Sequence, residues 1–293
     1  MRRLLTRALV GMVAAAGVVA LTLTAATWRL DTWVYDQVLS TLDHRADDRI
    51  VLVEVDDKSL SALGRWPWSR RGPAAVVDRL GPSGVRGIGF DVMFAEPNRD
   101  DPAGDDALAL AMQRNGKVVL PVTAEPSQPD GTLIEVLPMA PLIDAAAALG
   151  HAEVDNDRDG IARQAYLYAG LGSAHWPSLA LALSNLHADT RPQGGLPGLR
   201  GHLDARTPSP YLWNRDYQIM VPYVSRQGFQ RVSYIDVLHG EIAPELLRDR
   251  WLLVGATASG ISRDVLAPGA GNGVRISGVG YHANLLYGLQ QEA

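Results

Sequence analysis

Carboxylate side chains lie at the ends of two predicted strands. Asp56 and Asp57 follow the apolar run IVLVEV, and Asp91 follows the run GIGF. Ligands of open α/β sheets bind beyond the carboxyl ends of the strands, so these side chains predict a site for a cation or a polar ligand. The structural alternative is that Asp56 or Asp57 caps a following helix and that Asp91 accepts hydrogen bonds from loop amides.

Two tryptophans flank a proline in the segment WPWSRR. The proline holds Trp66 and Trp68 in a rigid, largely apolar surface, and Arg70 is a candidate ion-pair partner for Asp57 or Asp91. The segment predicts the rim of a ligand site or a contact between subunits. The structural alternative is a loop pinned onto the edge of the sheet, in which each buried indole N–H needs a hydrogen-bond partner.

One histidine stands near the start of the last predicted helix, in the segment YHAN. His282 could act as a base or a ligand, and the structural alternative is a core or capping histidine. No catalytic residue is assigned, because the sequence shows no Ser/His/Asp trio and no H-E-x-x-H helix. The candidate ligand-binding residues are therefore Asp56, Asp57, Trp66, Trp68, Arg70, Asp91, His282 and Asn284.

The segment DNDRDG matches the start of a calcium-binding loop. The oxygen ligands and the glycine that such a loop requires correspond here to Asp155, Asp157, Asp159 and Gly160. The last position of the loop, which needs a bidentate glutamate, is Tyr166. Calcium is the one cofactor that the sequence suggests, and the alternative is an aspartate-rich turn in which the glycine supplies a positive φ.

An uncharged stretch of 21 residues runs from Ala8 to Trp28. As a helix it would span ~31 Å, enough to cross the hydrocarbon core of a bilayer. Arg2, Arg3 and Arg7 precede it, which by the positive-inside rule predicts a cytoplasmic N-terminus and a main domain outside the cytoplasm. The alternative is a cleaved signal peptide, whose apolar region is normally shorter. With either an anchor or a cleaved signal peptide, the main domain would lie outside the cytoplasm.

The composition excludes several classes of function. The chain has 293 residues, 32 of them acidic and 27 basic, a formal charge of −5, and no basic patch with interleaved aromatic residues. A nucleic-acid partner is therefore not expected. Disulfides and cysteine metal sites are excluded because the chain has no cysteine. A domain of this size can bury enough apolar surface to do without disulfides.

Strands alternate with helices along most of the chain, which predicts an α/β fold with a central mixed sheet and helices on its faces, preceded by one transmembrane helix. An amphipathic helix at Leu30–Leu42 would continue that membrane helix as a stalk. Further predicted helices are 70–80, 105–113, 142–149, 178–186 and 279–289. Predicted strands are 50–55, 85–94, 117–123, 219–224 and 251–255, with a hairpin of 151–154 and 162–169, and 191–210 is an expected exposed loop.

Several segments of the chain, taken in order, resemble those of one protein family. The segments IVLVEVDDKSL, WPWSRRGPAAVVDRL, GVRGIGFDVMFAEP, DNDRDGIAR, WLLVGATASGISRD and GVGYHANLL follow one another within residues 30–290. The set closely resembles the CHASE2 domain, an extracytoplasmic sensory domain of bacterial signalling receptors. The resemblance implies an N-terminal anchor, an external sensor, further membrane helices and a cytoplasmic cyclase or kinase output module. The resemblance assigns no ligand-contacting residue in this chain, because no general ligand is established for the family.

We therefore expect residues 1–29 to form a cytoplasmic start and a membrane anchor, and residues 30–290 to form a sensor domain. That domain would lie on the periplasmic side of a bacterial inner membrane. We expect an unknown small-molecule or protein signal to bias two arrangements of a homodimer, which passes the change through Leu30–Leu42. The output module, a cytoplasmic kinase or cyclase, is absent from this sequence, which ends at Ala293 where further membrane helices are expected.

Two alternatives to a ligand sensor stay open. A carboxylate- and metal-dependent periplasmic hydrolase would bring two or more aspartates within ~5 Å of one another in a pocket. A periplasmic protein-interaction module would show an exposed apolar patch around Trp66 and Trp68.

Overall fold

The computed structural model describes residues 2–23, 28–41, 47–128, 131–187, 195–200, 209–224, 228–269 and 273–291. The helices are α1 (Arg2–Leu23), α2 (Trp28–Thr41), α3 (Asp57–Leu63), α4 (Arg71–Leu80), α5 (Pro102–Asn115), α6 (Ala140–Ala145), α7 (Leu179–Ser184), α8 (Tyr234–His239) and α9 (Gly278–Gln291). The strands are β1 (Ile50–Val55), β2 (Gly87–Asp91), β3 (Val118–Pro126), β4 (Leu133–Val136), β5 (Ala148–His151), β6 (Gln164–Leu171), β7 (Trp176–Pro177), β8 (Trp213–Met220), β9 (Gln230–Ser233), β10 (Trp251–Ala256), β11 (Asp264–Ala267) and β12 (Val274–Ser277).

The central sheet is mixed, as predicted. Six parallel strands follow one another in the order β5-β3-β2-β10-β1-β9, and β4 pairs antiparallel with the outer end of β3. Within the described residues a smaller antiparallel sheet has the order β7-β6-β8, and β11 and β12 form a hairpin. The strand β10 lies between β1 and β2, although it comes from near the end of the chain.

Helices cover both faces of the central sheet. Val51, Val53 and Val55 of β1 point to the face that carries α4, α5, α6 and α8. Ile50 and Leu52 point to the opposite face, which carries α7 and α9. Strands buried on both faces have continuous apolar runs rather than alternating ones, which explains why the sequence predicts β1 and β10 well.

Three local predictions differ from the structure. The helix predicted at 142–149 ends at Ala145, because Ala146 has an extended backbone with ψ 140° and the chain enters β5. The predicted hairpin of 151–154 and 162–169 does not form, since β5 pairs parallel with β3 whereas β6 belongs to the smaller sheet. The predicted strand at 219–224 is β8, which begins at Trp213 and ends at Met220.

The short helix α3 follows β1 without a loop. Asp56 is its N-cap, and its Oδ1 accepts hydrogen bonds from the Ser59 amide at 2.8 Å and from the Ser59 hydroxyl at 2.6 Å. The same oxygen accepts a bond of 2.8 Å from the Ser233 hydroxyl at the end of β9. Burial opposes ionisation of Asp56, but these bonds outweigh it and hold its pKa below the ordinary value.

Two helices precede the sheet. Within the described parts of the chain, none of the helices combines the length and the hydropathy that crossing a membrane requires. The predicted anchor therefore stays a prediction, and its residues 24–27 lie outside the described residues, as does Leu42 of the predicted stalk. Residues 191–194 and 201–208 of the expected loop also lie outside them.

The capping role of Asp56 is testable by substitution. We expect Asp56→Ala to lower the free energy of unfolding by about 1–2 kcal/mol, because a helix cap and the acceptor for two serine hydroxyls are lost. The matched control is Asp57→Ala, which removes an exposed carboxylate from the same helix and should change stability by about 0.5 kcal/mol or less. Urea unfolding measures both. Equal losses for the two variants would contradict the capping assignment.

Candidate functional site

The connections that follow β2 and β10 leave the sheet on opposite faces. The strand β2 leads to α5, which packs on the face that carries α4, whereas β10 leads through β11 and β12 to α9 on the face that carries α7. Since β2 and β10 are adjacent and parallel, a crevice opens between their carboxyl ends. Open α/β sheets bind their ligands at such a switch point.

A cleft of about 860 Å³ lies at this switch point. Its lining includes Trp66, Trp68, Arg70, Asp91 and Phe94, and we call it the Trp66 cleft. Half of the predicted ligand-binding residues therefore share one cavity. The lining also draws on the loop after β10 and on the outer end of β3, so it is built by segments that are far apart in the sequence.

The aromatic wall of the cleft is fixed by internal contacts. The rings of Trp66 and Trp68 meet edge to face with centroids 4.9 Å apart, and the Trp66–Pro67 peptide bond is cis. The Trp68 indole N–H donates to the Gly64 carbonyl at 2.9 Å, and its ring lies 5.3 Å from that of Tyr234. Both tryptophans are half-buried, and Pro67 between them is exposed.

Arg70 has a different partner from the predicted ones. Its Nε lies 3.0 Å from Oδ1 of Asp105, in the first turn of α5, rather than beside Asp57 or Asp91. Its guanidinium also donates to the Glu96 carbonyl and lies 5.6 Å from the centroid of the Phe94 ring. The positive charge of Arg70 is therefore balanced by a buried carboxylate behind the cleft.

Asp91 is the polar group at the end of β2. Its Oδ1 lies 3.7 Å from Nε2 of His282 on α9, and its carboxylate receives no hydrogen bond from the described residues. Burial raises the pKa of Asp91 to about 7, while the charge of Arg263 acts in the opposite direction. Burial also lowers the pKa of His282 to about 3, so the imidazole is neutral and forms no ion pair with Asp91 at physiological pH.

The other predicted ligand-binding residues lie outside the cleft lining. Asp56 is the cap described above, and Asp57 is exposed in the first turn of α3. Asn284 is buried in α9, where its Oδ1 accepts a hydrogen bond of 2.8 Å from the Val224 amide and its Nδ2 donates to the Gly280 carbonyl at 2.7 Å. Asn284 therefore positions the chain before residue 224 rather than facing the cleft.

The aspartate-rich loop holds a buried arginine. Arg163 donates two hydrogen bonds of 2.8 Å to Asp36 on α2 and three of 2.8–2.9 Å to the loop residues Asp157 and Asp159. These bonds use all five N–H donors of an arginine. We call this group the Asp36–Arg163 clamp. The hydrogen bonds that Arg163 donates to Asp36, followed by those it donates to the loop, raise the pKa of Arg163 above its ordinary value.

The loop geometry bears on the calcium prediction. Asp155 accepts a hydrogen bond of 2.7 Å from Gln164, and Gly160 adopts the positive φ of 81° that the turn alternative requires. In the part of the chain that the structure describes, no three His, Asp or Glu side chains are grouped so as to hold a metal ion. Arg163 already supplies positive charge to Asp157 and Asp159, and calcium binding stays a prediction without support from this geometry.

Sequence reasoning missed several residues near the cleft. Glu96 and Glu125 line it, although Glu96 stands in the segment GVRGIGFDVMFAEP and Glu125 comes two residues after the predicted strand 117–123, the two signals that could have found them. Arg263 lines an adjoining cavity of about 320 Å³ that shares Glu125 with the cleft. Asp36, the partner of Arg163 on α2, carried no signal, and Arg163 entered the sequence analysis only as the last residue of the segment DNDRDGIAR in the family resemblance.

A family model for the CHASE2 domain matches residues 12–293, nearly the whole chain. The chain belongs to the CHASE2 domain family. The resemblance seen in the sequence is thereby confirmed, and CHASE2 is a family of extracytoplasmic sensory domains. No curated protein and no solved structure matches this sequence.

The buried carboxylate of this CHASE2 domain should make its stability depend on pH. Because the pKa of Asp91 is raised from 3.8 to about 7 on folding, its favourable contribution is fully present below pH 3.8 and is lost as the pH rises to about 7. We expect Asp91→Asn to gain stability over the wild type between these pH values and to keep that gain above pH 7.

Thermal unfolding at several pH values measures this gain. We expect a rise in the midpoint of at least ~2–4 °C at pH 8, the shift that about 1 kcal/mol produces in a domain of this size, and a smaller rise at pH 5. The control Asp57→Asn should show no such trend. An Asp91→Asn variant that is less stable than the wild type at pH 8 would contradict the unpaired state of this carboxylate.

The clamp of the CHASE2 domain is testable by removing its arginine. We expect Arg163→Met to lower the free energy of unfolding by about 3–5 kcal/mol, because three carboxylates lose their buried cation. The matched control is Arg158→Met, an exposed arginine of the same loop, with an expected change of about 0.5 kcal/mol or less. Urea unfolding measures both. If Arg163→Met does not fold, Asp36→Asn gives a smaller loss. No loss in either clamp variant would refute the clamp.

Proposed function

We propose that this CHASE2 domain is the extracytoplasmic sensor of a bacterial signal-transduction receptor and that the Trp66 cleft binds its signal. The observation that carries the proposal is the cleft itself, which lies where the connections of two adjacent parallel strands diverge. Membership in a sensory family supports the sensor role. The ligand of the cleft is proposed to be a small molecule, because the cavity is concave and bounded by fixed side chains.

The Asp36–Arg163 clamp is proposed to carry the change from the cleft to α2. The connection that follows β5 contributes Ala152 and Glu153 to the cavity beside the cleft, and a few residues later it supplies Asp157 and Asp159 to the clamp. A shift of this connection on ligand binding would move the carboxylates that hold Arg163. The arginine in turn would move Asp36 and the helix that bears it.

The helix α1 is proposed to anchor the domain in the bacterial inner membrane, with the sensor on the periplasmic side. Many of its described side chains are apolar and exposed, and Leu9, Val10, Met12 and Val13 are each more than 60 % exposed. Such a surface is costly in water and favourable in lipid. The arginines before Ala8 support a cytoplasmic N-terminus.

The chain is proposed to act as a homodimer through α2. Its outward side carries Leu30, Trp33, Val34 and Val38, which are all exposed and recur at helical spacing. The opposite side carries Asp36 of the clamp and Leu39, which packs on the core. A second copy would cover this apolar stripe, and the pair of helices would pass the signal to a cytoplasmic kinase or cyclase.

The two alternative functions lack a specific observation in their favour. A metal-dependent hydrolase needs converging carboxylates, and the described residues contain no group of three His, Asp or Glu side chains that could hold a metal ion. A protein-interaction module needs an exposed apolar patch at Trp66 and Trp68, and both side chains are half-buried. Neither alternative is carried further.

Cysteine cross-linking of the full chain tests the proposed coupling, since the natural sequence has no cysteine. We expect Val34→Cys to form a cross-linked dimer under mild oxidation and Arg29→Cys, on the opposite side of α2, to form little. We further expect Asp91→Asn, which changes the charge but not the shape of the cleft, to alter the rate of Val34→Cys cross-linking at least about twofold. A coupling free energy of ~0.4 kcal/mol suffices for that change.

The matched background for this experiment is Asp57→Asn, an exposed carboxylate outside the cleft. It should leave the cross-linking rate unchanged. Equal cross-linking from both sides of α2 would refute the dimer arrangement. A rate that is the same in the Asp91→Asn and Asp57→Asn backgrounds would refute coupling between the cleft and α2.

A further inference from the structure

We propose that the Trp66 cleft is selective for small organic cations, an amine or a quaternary ammonium, whose charge lies between the tryptophan wall and the carboxylates of the cleft. This inference rests on the proposed function, because it assigns a ligand class to the same site. It is carried by the charge and the aromatic character of the lining together.

The cleft has an excess of negative charge. Five carboxylates line it, and among the lining residues only Arg70 is a cation. Arg70 is paired with Asp105, as described, and one of the five, Asp101, is paired with Arg71 at 2.8 Å. Among the described residues the other four form no ion pair with a lysine or arginine, although the charge of Arg263 acts on Asp91; they are Asp91, Glu96, Asp100 and Glu125. An anionic ligand would meet repulsion here, and a cation would be attracted.

The aromatic wall favours a cation with apolar substituents. Tryptophan is the side chain that attracts a cation most strongly over its ring face, and desolvation strengthens the attraction. The edge-to-face contact of Trp66 with Trp68 and the hydrogen bond from Trp68 to Gly64 hold the rings in place before a ligand arrives. A rigid wall loses little conformational entropy on binding, which favours affinity for a small ligand.

The spacing of the carboxylates favours an organic cation over a metal ion. A divalent metal needs several oxygen ligands at bonding distance from one point. The described residues show no such grouping of His, Asp or Glu, and the four carboxylates come from two segments, residues 91–100 and the outer end of β3. An alkylammonium group or a diamine can approach separated carboxylates without drawing them together.

Asp91 receives no hydrogen bond from the described residues, and its side chain is about 20 % exposed at the end of β2. The neighbouring His282 is 1 % exposed and its Nδ1 has no partner, and its Nε2 is 3.7 Å from Oδ1 of Asp91, too far for a hydrogen bond. Burial raises the pKa of Asp91 to about 7, so its ionised form is disfavoured in the free protein, and a charged donor beside it would offset that cost. An ammonium ligand in the cleft would supply both the charge and the donor.

Thermal unfolding of the full chain in mild detergent tests the ligand class. The probes are choline and putrescine, each compared with its uncharged analogue: the alcohol in which carbon replaces the choline nitrogen, and the diol of the same length as putrescine. At a concentration 100 times its dissociation constant, a bound cation should raise the midpoint by roughly 5 °C or more. The uncharged analogues should raise it by much less.

Substitutions locate the binding. We expect Asp91→Asn and Glu125→Gln each to weaken binding of the stabilising cation at least about tenfold, because each removes a carboxylate that faces the cleft. The matched control is Glu245→Gln, an exposed carboxylate far from the cleft lining, and it should leave the affinity unchanged. High salt should weaken binding in the wild type.

The outcomes separate the two proposals. If the uncharged analogues, or glucose as an uncharged sugar, bind as well as the cations and lose binding in Trp68→Ala, the ligand class is wrong but the cleft remains the site. If neither choline nor putrescine raises the midpoint, or if the cleft variants bind as the wild type does, the organic-cation proposal is overturned. If a cation binds to the cleft but leaves the cross-linking rate of Val34→Cys unchanged, the proposed coupling is overturned instead.

Discussion

The whole arrangement depends on one long-range pairing, the insertion of β10 between β1 and β2. These two strands are neighbours in the sequence but not in the sheet, and each pairs in parallel with the late strand WLLVGA. Trp251, at the start of β10, is fully buried. Until β10 is in place, β2 has β3 as its only parallel neighbour among the described strands, and the Trp66 cleft lacks the side that the loop after β10 provides. Closing so long a connection has an entropic cost, which the burial of an entirely apolar strand on both faces can offset.

The same physical property explains which elements the sequence could predict. Strands such as β1 and β10 are continuous apolar runs because both of their faces are covered, and that pattern is visible without knowledge of the fold. The strands β4, β11 and β12 were missed because they are short, partly exposed and lie at edges, where burial imposes little pattern. The boundary between α6 and β5 falls inside a run of alanines, whose helix propensity conceals the extended turn at Ala146.

The candidate site was predictable in position but not in detail. The sequence identified Asp56 and Asp91 by the same rule, since both follow an apolar strand. Only the structure separates them, because Ser59 and Ser233 satisfy Asp56 whereas no described residue donates to Asp91. The partner of Arg70 could not be predicted from the sequence either. Asp105 belongs to α5, and the fold brings α5 close to Arg70 only through tertiary packing. Strand-end position is local information, but charge pairing depends on tertiary contacts.

The molecule treats its buried carboxylates in two opposite ways, and the contrast is informative about function. In the Asp36–Arg163 clamp, every donor of the arginine is used and the charges stabilise one position of α2. At the cleft, Asp91 has no donor among the described residues, and burial disfavours its ionised form in the free protein. Sites that violate the rules of satisfied polar groups are characteristic of function, because a ligand recovers the lost free energy. A ligand shifts an equilibrium only by its different affinity for the two states. The Asp91 carboxylate provides such a difference in affinity if the cleft closes around the ligand in only one of the two states. The Asp36–Arg163 clamp, in which every arginine donor is used, is rigid enough to transmit that closure to α2.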